Sequence, residues 1–382
     1  MPSFTLRARN FRAIEKLDWS PEGVCLLCGP NGAGKSTALH ALRFLRTLFQ
    51  FGHEAAFQAV GGQFFRRLGT PGDEPVVFEL EVGDILWKLR LPMSSQGMKG
   101  TYGEELYHGG DLVFRCAMFD QEWSLGAERL PLDEVRCCAK VVTDMSLERR
   151  EYEWIKPLGE VLSGIRIHDS YWLNHVQHPQ QPDSRNVYLA ENGRNLWSVL
   201  ANWKSSPLRY KGQFEAVLSA AKKAFPELIS TIEFDRGLTF LYPPGVSDPD
   251  SGLPPSRAAE GLLTGLLHLT AVIGAKSGGI VAIDEMENQL HPHAIRSLIE
   301  TMRKQAEEKN LTVILTTHSP VVLNSFRDEP EQVYVFDRSR PDLAQPAAMT
   351  DLHSEEWLAQ AKLGTLYDQL AFGAPAIKAP VP

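Results

Sequence analysis

The residues Gly29-Pro30-Asn31-Gly32-Ala33-Gly34-Lys35-Ser36-Thr37 follow the pattern G-x-x-x-x-G-K-[ST], and their flanks leave little freedom in how the chain folds around them. Ahead stands the apolar run Val24-Cys25-Leu26-Leu27-Cys28, which reads as a buried strand. Behind, residues 36–45 carry apolar side chains at helical spacing. Glycines let the backbone curl so that several N–H groups point inward at a helix start, where the helix dipole also favours an anion. The spacing assigns Lys35 to the terminal phosphates of a nucleotide and the Ser36 hydroxyl to Mg2+. Strand, glycine loop and helix in this order call for an α/β sheet with the loop at a strand's C-terminal end.

Composition narrows the partners. The net charge of −8 removes any global basic footprint for nucleic acid. Local clusters at Arg7/Arg9/Arg12, Arg66-Arg67, Arg149-Arg150 and Lys222-Lys223 read as solvated faces. No membrane span is expected, since the longest apolar stretch, residues 261–275, contains His268 and is too short for a bilayer. No charged-then-apolar leader opens the chain. Five cysteines, an odd number, point to a reducing, cytoplasmic setting. Cys25 and Cys28 have the spacing of a redox or metal pair, but they lie in the strand feeding the loop, so core packing is the better reading. Cys137-Cys138 lacks a second ligand pair and reads the same way.

Along the chain, residues 4–11 alternate apolar and polar, which suits an edge-side strand. Residues 76–91 read as a hairpin around Gly83-Asp84, with a further strand at 112–115. Residues 145–230 read as mostly helical, with helices at 154–163, 195–203 and 213–224. A helical run at 258–273 precedes a strand at 279–283, a helix at 294–308 and strands at 311–315 and 332–336. The expected organisation is one folded head over residues 1–373. Residues 1–145 form an N-terminal lobe with the loop and a β subregion, and 146–242 a helical insertion. A Pro-rich linker at 243–257 leads into a C-terminal lobe at 258–373, and 374–382 form a disordered tail. The loop and the strands at 280–283 and 311–315 should lie side by side in one parallel sheet.

Two of those strands end in chemistry. Ile280-Val281-Ala282-Ile283 runs into Asp284-Glu285. A carboxylate at a buried strand end holds Mg2+ through its waters, which assigns Asp284 to the metal. Glu285 then orients or deprotonates the attacking water. The second strand ends in Thr316-Thr317-His318-Ser319-Pro320, where a neutral His318 imidazole can hydrogen-bond the γ-phosphate or that water.

Together GPNGAGKST, VAIDE and TTHSP resemble an ABC-class ATPase head of the RecF, SMC and overcoming-lysogenization-defect group, also described as AAA family ATPases. Asn10-Phe11-Arg12, Gly193-Arg194-Asn195-Leu196, residues 284–292 and Leu363-Gly364-Thr365-Leu366-Tyr367 are similar to further segments of that group. The resemblance implies an α/β P-loop NTPase fold: an ABC-type head with a mixed sheet, an antiparallel β subregion and a helical insertion. It implies ATP and Mg2+ as cofactors and hydrolysis of ATP to ADP and phosphate. Asn31, Gly32, Ala33, Gly34, Lys35, Ser36 and Thr37 would hold the nucleotide, with Arg12 and Gly261 contributing.

In that group two heads sandwich two ATP molecules, so a homodimer or higher oligomer is expected. The signature segment matches Ser256-Arg257-Ala258-Ala259-Glu260-Gly261, where Ala259 replaces the usual serine and removes one γ-phosphate contact. Gln58 and Gln63 are unranked candidates for the signature glutamine. His291 and His293 read as a helix start, not a metal site. No guanine-reading motif and no sustained heptads are present, and too few residues follow His318 for a Toprim nuclease domain. The expected function is an ATP-driven conformational switch controlling a separately encoded effector in anti-phage defence. Alternatives are a repair or recombination ATPase that binds DNA directly, and a weakly hydrolysing ATP sensor or scaffold.

Overall fold

The computed structural model describes residues 4–71, 74–94, 97–98, 102–117, 122–125, 128–130, 137–179, 183, 185–246, 248–337, 344–360, 362–368 and 372. The tail at 374–382 lies outside them. The fold is α/β, built on a six-stranded mixed sheet and an eight-stranded antiparallel sheet.

The six-stranded sheet runs in the order Ile165–His168, Ile280–Ile283, Thr312–Thr316, Val24–Cys28, Val333–Val335, Ala347–Ala348. The first five strands are parallel, and the last pairs antiparallel with Val333–Val335. Val24–Cys28, Ile280–Ile283 and Thr312–Thr316 are buried along their whole length, as expected of parallel strands covered on both faces. Strand periodicity then sorts their side chains into two cores. Cys25, Leu27, Ala282 and Ile314 join a core shared with the antiparallel sheet and the helix Lys35–Phe51. Leu26, Cys28, Val281 and Leu315 join a second core with the helices Leu196–Ser205, Gln213–Ala224, Glu260–Ile273 and Pro292–Lys309. Cys25 and Cys28 therefore face opposite sides of the sheet. Burial pushes the Cys28 thiol up to about 12 and raises Cys25 as well, so both act as packing groups.

The hairpin Val76–Val82 and Ile85–Leu91 alternates buried positions with half-buried or exposed ones, with one face on the core. Phe44 from the helix Lys35–Phe51 stacks on Phe78 of that hairpin at 4.9 Å between centroids, a contact worth about 1 kcal/mol beyond burial. The helix after the loop is thus wedged between the two sheets.

Three sequence expectations change. Phe4–Phe11 is not an edge strand: Ile14–Trp19 folds back and pairs on its outer side, while Val76–Val82 pairs on the other. The middle stretch is not only helical. It supplies Ile165–His168, which pairs in parallel with Ile280–Ile283, and a hairpin of Thr231–Asp235 with Leu238–Tyr242. In the same stretch, residues 150–155 form a 3-10 turn before the helix Lys156–Gly164 begins. No helix among the described residues is long and apolar enough to cross a membrane.

Candidate functional site

The strand Val24–Cys28 delivers the chain into Gly29, and the helix begins at Lys35. Between them Gly29, Gly32 and Gly34 take φ of 137°, 71° and 127°, a region that L side chains rarely occupy. Gly29 is doubly required, because an added Cβ would stand 2.4 Å from the Phe336 carbonyl oxygen. Gly29→Ala is therefore expected to cost roughly 2 kcal/mol of stability. A wild-type urea midpoint for that variant would show the contact to be slack.

Ala33 and Gly34 are buried, Asn31 and Gly32 are exposed, Ser36 is half-buried and Thr37 is buried. No acidic residue stands in the first turn and no side chain caps Gly34, so the N–H groups at the helix start keep their positive field. Lys35 is only 5% exposed; its ammonium donates to Gly29 O at 2.8 Å and Pro30 O at 3.2 Å. Two of three ammonium protons are thereby committed, leaving one to meet an anion. Burial lowers the Lys35 pKa, and the carboxylates of Asp284, Glu285 and Glu287 oppose that shift.

Those acids come from the neighbouring strands. Asp284 continues the strand Ile280–Ile283, its N–H bonded to His168 O at 2.9 Å. Thr316, fully buried at the end of the next strand, donates its hydroxyl to Asp284 Oδ1 and accepts the Glu285 N–H at 2.8 Å. Glu285 is exposed with φ 48°, and its carboxylate accepts from Asn288 Nδ2 at 2.9 Å. His318 follows the Thr316 strand, and its N–H donates to Glu287 Oε1 at 2.8 Å. Burial and the Lys35 charge lower the His318 pKa, against Glu285 and Asp284, so the imidazole is neutral at neutral pH. Glu287 is the reverse case. Burial raises its pKa, and its Oε2 is buried without a partner.

The oxygen donors Ser36 and Asp284 suit Mg2+, a hard cation that takes one or two protein oxygens alongside phosphate oxygens and water. A backbone cradle, a lysine, a metal-type carboxylate, an accessible glutamate and a neutral histidine can together hold a nucleotide's phosphates and steer a water at the last of them.

Arg12 and Gly261 make no described hydrogen bond to residues 29–37. The Arg12 guanidinium donates to His40 Nδ1 at 2.5 Å, on the helix beyond Lys35, and no described hydrogen bond ties it to residues 29–37. His40 in turn stands 3.8 Å from Asp169, which Arg43 also holds at 2.5 Å. Burial pushes the Asp169 carboxyl up, but hydrogen bonds from His40 and Arg43 outweigh it and keep the group well below the usual range. Gly261 lies in the first turn of Glu260–Ile273, where a Cβ would stand 2.6 Å from Gln289 O. Gln289 further holds Glu260 and Thr264, each at 3.0 Å. That helix start is therefore keyed to the turn after Glu285, not to the loop.

Beside Asp284 and Glu285 opens a cleft of about 220 Å³, lined also by His168, Asp169, Tyr171 and His268. Burial drives both histidines down to about 4, so they are neutral. Tyr171 donates to His268 Nδ1 at 3.1 Å and His268 Nε2 donates to Met286 O at 3.2 Å.

The sequence reading missed Thr316, Glu287, Asn288 and Asp169. The first three lie inside motifs already noticed, where the residue types alone were a usable signal. Asp169 became visible only through the pairing of Ile165–His168. Gln58 bonds Glu54 at 3.3 Å on the helix His53–Ala59, and the Gln63 side chain lies outside the described ones. His291 caps the helix Pro292–Lys309, accepting from His293 N at 3.3 Å, while His293 Nε2 donates to Lys223 O at 3.1 Å.

The family described as "AAA domain, putative AbiEii toxin, Type IV TA system" matches residues 24–107 and 245–324. The match spans less than half of the chain and takes in the loop, Gly261, Asp284, Glu285 and His318. No curated protein matches. Among solved structures, an Smc head bound to the C-winged helix domain of ScpA is 12% identical, with 87% of this chain and 94% of that one covered and a TM-score of 0.49. The SMC head domain from Thermotoga maritima is 13% identical, with 88% and 94% covered and a TM-score of 0.45. An Smc head with an extended coiled coil, bound to a C-terminal domain of ScpA derived from Pyrococcus furiosus, is 11% identical, with 88% and 93% covered and a TM-score of 0.46.

Proposed function

We propose that this chain is a Mg2+-dependent ATPase whose nucleotide binding and hydrolysis act as a conformational switch. One observation carries the reading: the loop at 29–37, Asp284-Glu285 and His318 leave three adjacent parallel strands at the same end, where such sheets bind ligands. Residues 29–37 would cradle the phosphates. Ser36 and Asp284 would share Mg2+, which supplies charge neutralisation at the transferred phosphoryl group. Glu285 would take the proton of the attacking water, and His318 would donate a hydrogen bond to the terminal phosphate.

The keying of Gly261 to Gln289, with no described hydrogen bond to its own loop, supports a site completed by a second copy. Each signature helix start would face the loop of the partner, giving a homodimer around two nucleotides. The resemblance of this chain's motifs to the RecF, SMC and overcoming-lysogenization-defect group is what supports a separately encoded effector under its control, in anti-phage defence. Sedimentation of the purified chain with and without Mg-ATP tests the switch. A dimer formed only with nucleotide is expected, and a monomer in both conditions would sink the sandwich.

One observation favours the second reading, a weakly hydrolysing sensor. Ala259 offers no hydroxyl, and the Glu260 carboxylate stands in the first turn, held by Gln289. A negative charge there opposes an incoming γ-phosphate and weakens the helix's positive end.

A further inference from the structure

The motif Leu363-Gly364-Thr365-Leu366-Tyr367 has no part in the chemistry above, yet it touches two sides of the loop site. It forms the short helix Leu363–Asp368. That helix packs on Pro320–Asn324, the helix that follows His318 and Ser319. Gly364 makes the approach feasible, since a Cβ there would stand 2.4 Å from Pro320 O and 2.8 Å from Asn324 Nδ2. Its N–H also donates to Asn324 Oδ1 at 2.9 Å.

Nearly one turn later the Tyr367 hydroxyl donates to Gly29 O at 3.1 Å. The same carbonyl accepts the Lys35 ammonium at 2.8 Å. A carbonyl oxygen has two lone pairs, and here both are used. Burial and the nearby Cys28 raise the Tyr367 pKa to about 12, so its hydroxyl keeps the proton it donates.

We infer that the helix Leu363–Asp368 is a clasp joining the phosphate loop to the His318 segment, and that Tyr367 is a positioning residue for Lys35. The inference rests on the reading of residues 29–37 as a nucleotide site. The direction of the free ammonium proton depends on the plane of the Gly29 carbonyl. Tyr367 pins that plane from outside the loop, and Gly364 keys the same helix to the segment after His318. Displacement of one end would therefore be felt at the other.

The test uses the full chain with Tyr367→Phe, which keeps the ring and its contact with Phe372 at 5.5 Å. Loss of one hydrogen bond to a positioning carbonyl should raise the Kd for Mg-ATP about fivefold. The thermal midpoint without nucleotide should fall by no more than the loss of one hydrogen bond accounts for, and the fall in affinity beside it marks the positioning role. A merely structural role would instead lower the midpoint and spare the affinity. Gly364→Ala should raise Kd similarly, and the double variant should be no worse than the weaker single one, because both break one clasp. If Gly364→Ala fails to fold, Tyr367→Phe still decides. An unchanged Kd in Tyr367→Phe, with wild type binding ATP and Lys35→Ala not, overturns the clasp and leaves the nucleotide site standing. Failure of the wild-type chain to bind ATP overturns the nucleotide reading itself.

Discussion

Lys35→Ala is expected to abolish nucleotide binding while leaving the fold intact. The ammonium is nearly fully buried, held by Gly29 O and Pro30 O, and its pKa is lowered by that burial. A buried cation is a cost to the folded chain, so truncating it should not lower stability. For binding, the same truncation removes a charge-assisted contact to phosphate, worth about 3 kcal/mol or more, hence at least ~100-fold in Kd. Thermal unfolding with and without Mg-ATP reads both effects. At ligand about 100 times the wild-type Kd the wild-type chain should gain roughly 2.7 kcal/mol, and the variant no more than about 0.4 kcal/mol.

The pH dependence adds a second signature. A folded pKa below the ordinary lysine value means that, as pH rises, the folded chain loses this proton before the unfolded one does. Stability contributed by Lys35 therefore rises with pH between the lowered value and the ordinary one. The alanine variant should lack that rise. Retained affinity in Lys35→Ala would move the site away from residues 29–37.

Glu285→Gln should lower ATP turnover about 1,000-fold with binding preserved, the magnitude typical of a lost general base. Glu285 is exposed, and an amide oxygen can still accept from Asn288, so stability should change by less than about 0.5 kcal/mol. With hydrolysis blocked and ATP bound, the dimer should persist, and sedimentation would detect it. Turnover near the wild-type rate would place the base elsewhere. A wild-type rate already as slow as the variant's would favour the sensor reading instead.

How much of this was legible before folding depends on how local each signal is. The helix Gln213–Ala224 and the hairpin Val76–Val82 with Ile85–Leu91 match the expected spans, because periodicity and a Gly83-Asp84 turn are encoded within the segments themselves. Ile165-Arg166-Ile167-His168 carries no such mark. It is a four-residue strand, and its pairing with Ile280–Ile283 comes from a distant part of the chain. Missing Ile14–Trp19 likewise turned an interior strand into an expected edge. Glu287 and Tyr367 were visible as letters but not as contacts, since His318 N and Gly29 O are their partners only after folding.

By itself the sequence determined which chemical groups this protein can bring to a nucleotide, because glycine conformations, helix starts and strand ends are local properties of a few residues. Tertiary structure alone decided which of them meet. It set Asp284 beside Thr316, tied Gly261 to Gln289, turned Arg12 to His40, and carried Tyr367 back to Gly29. The physical reason is that sheet order and register are fixed by burying two faces of the sheet at once, a constraint on the whole chain that no short segment contains.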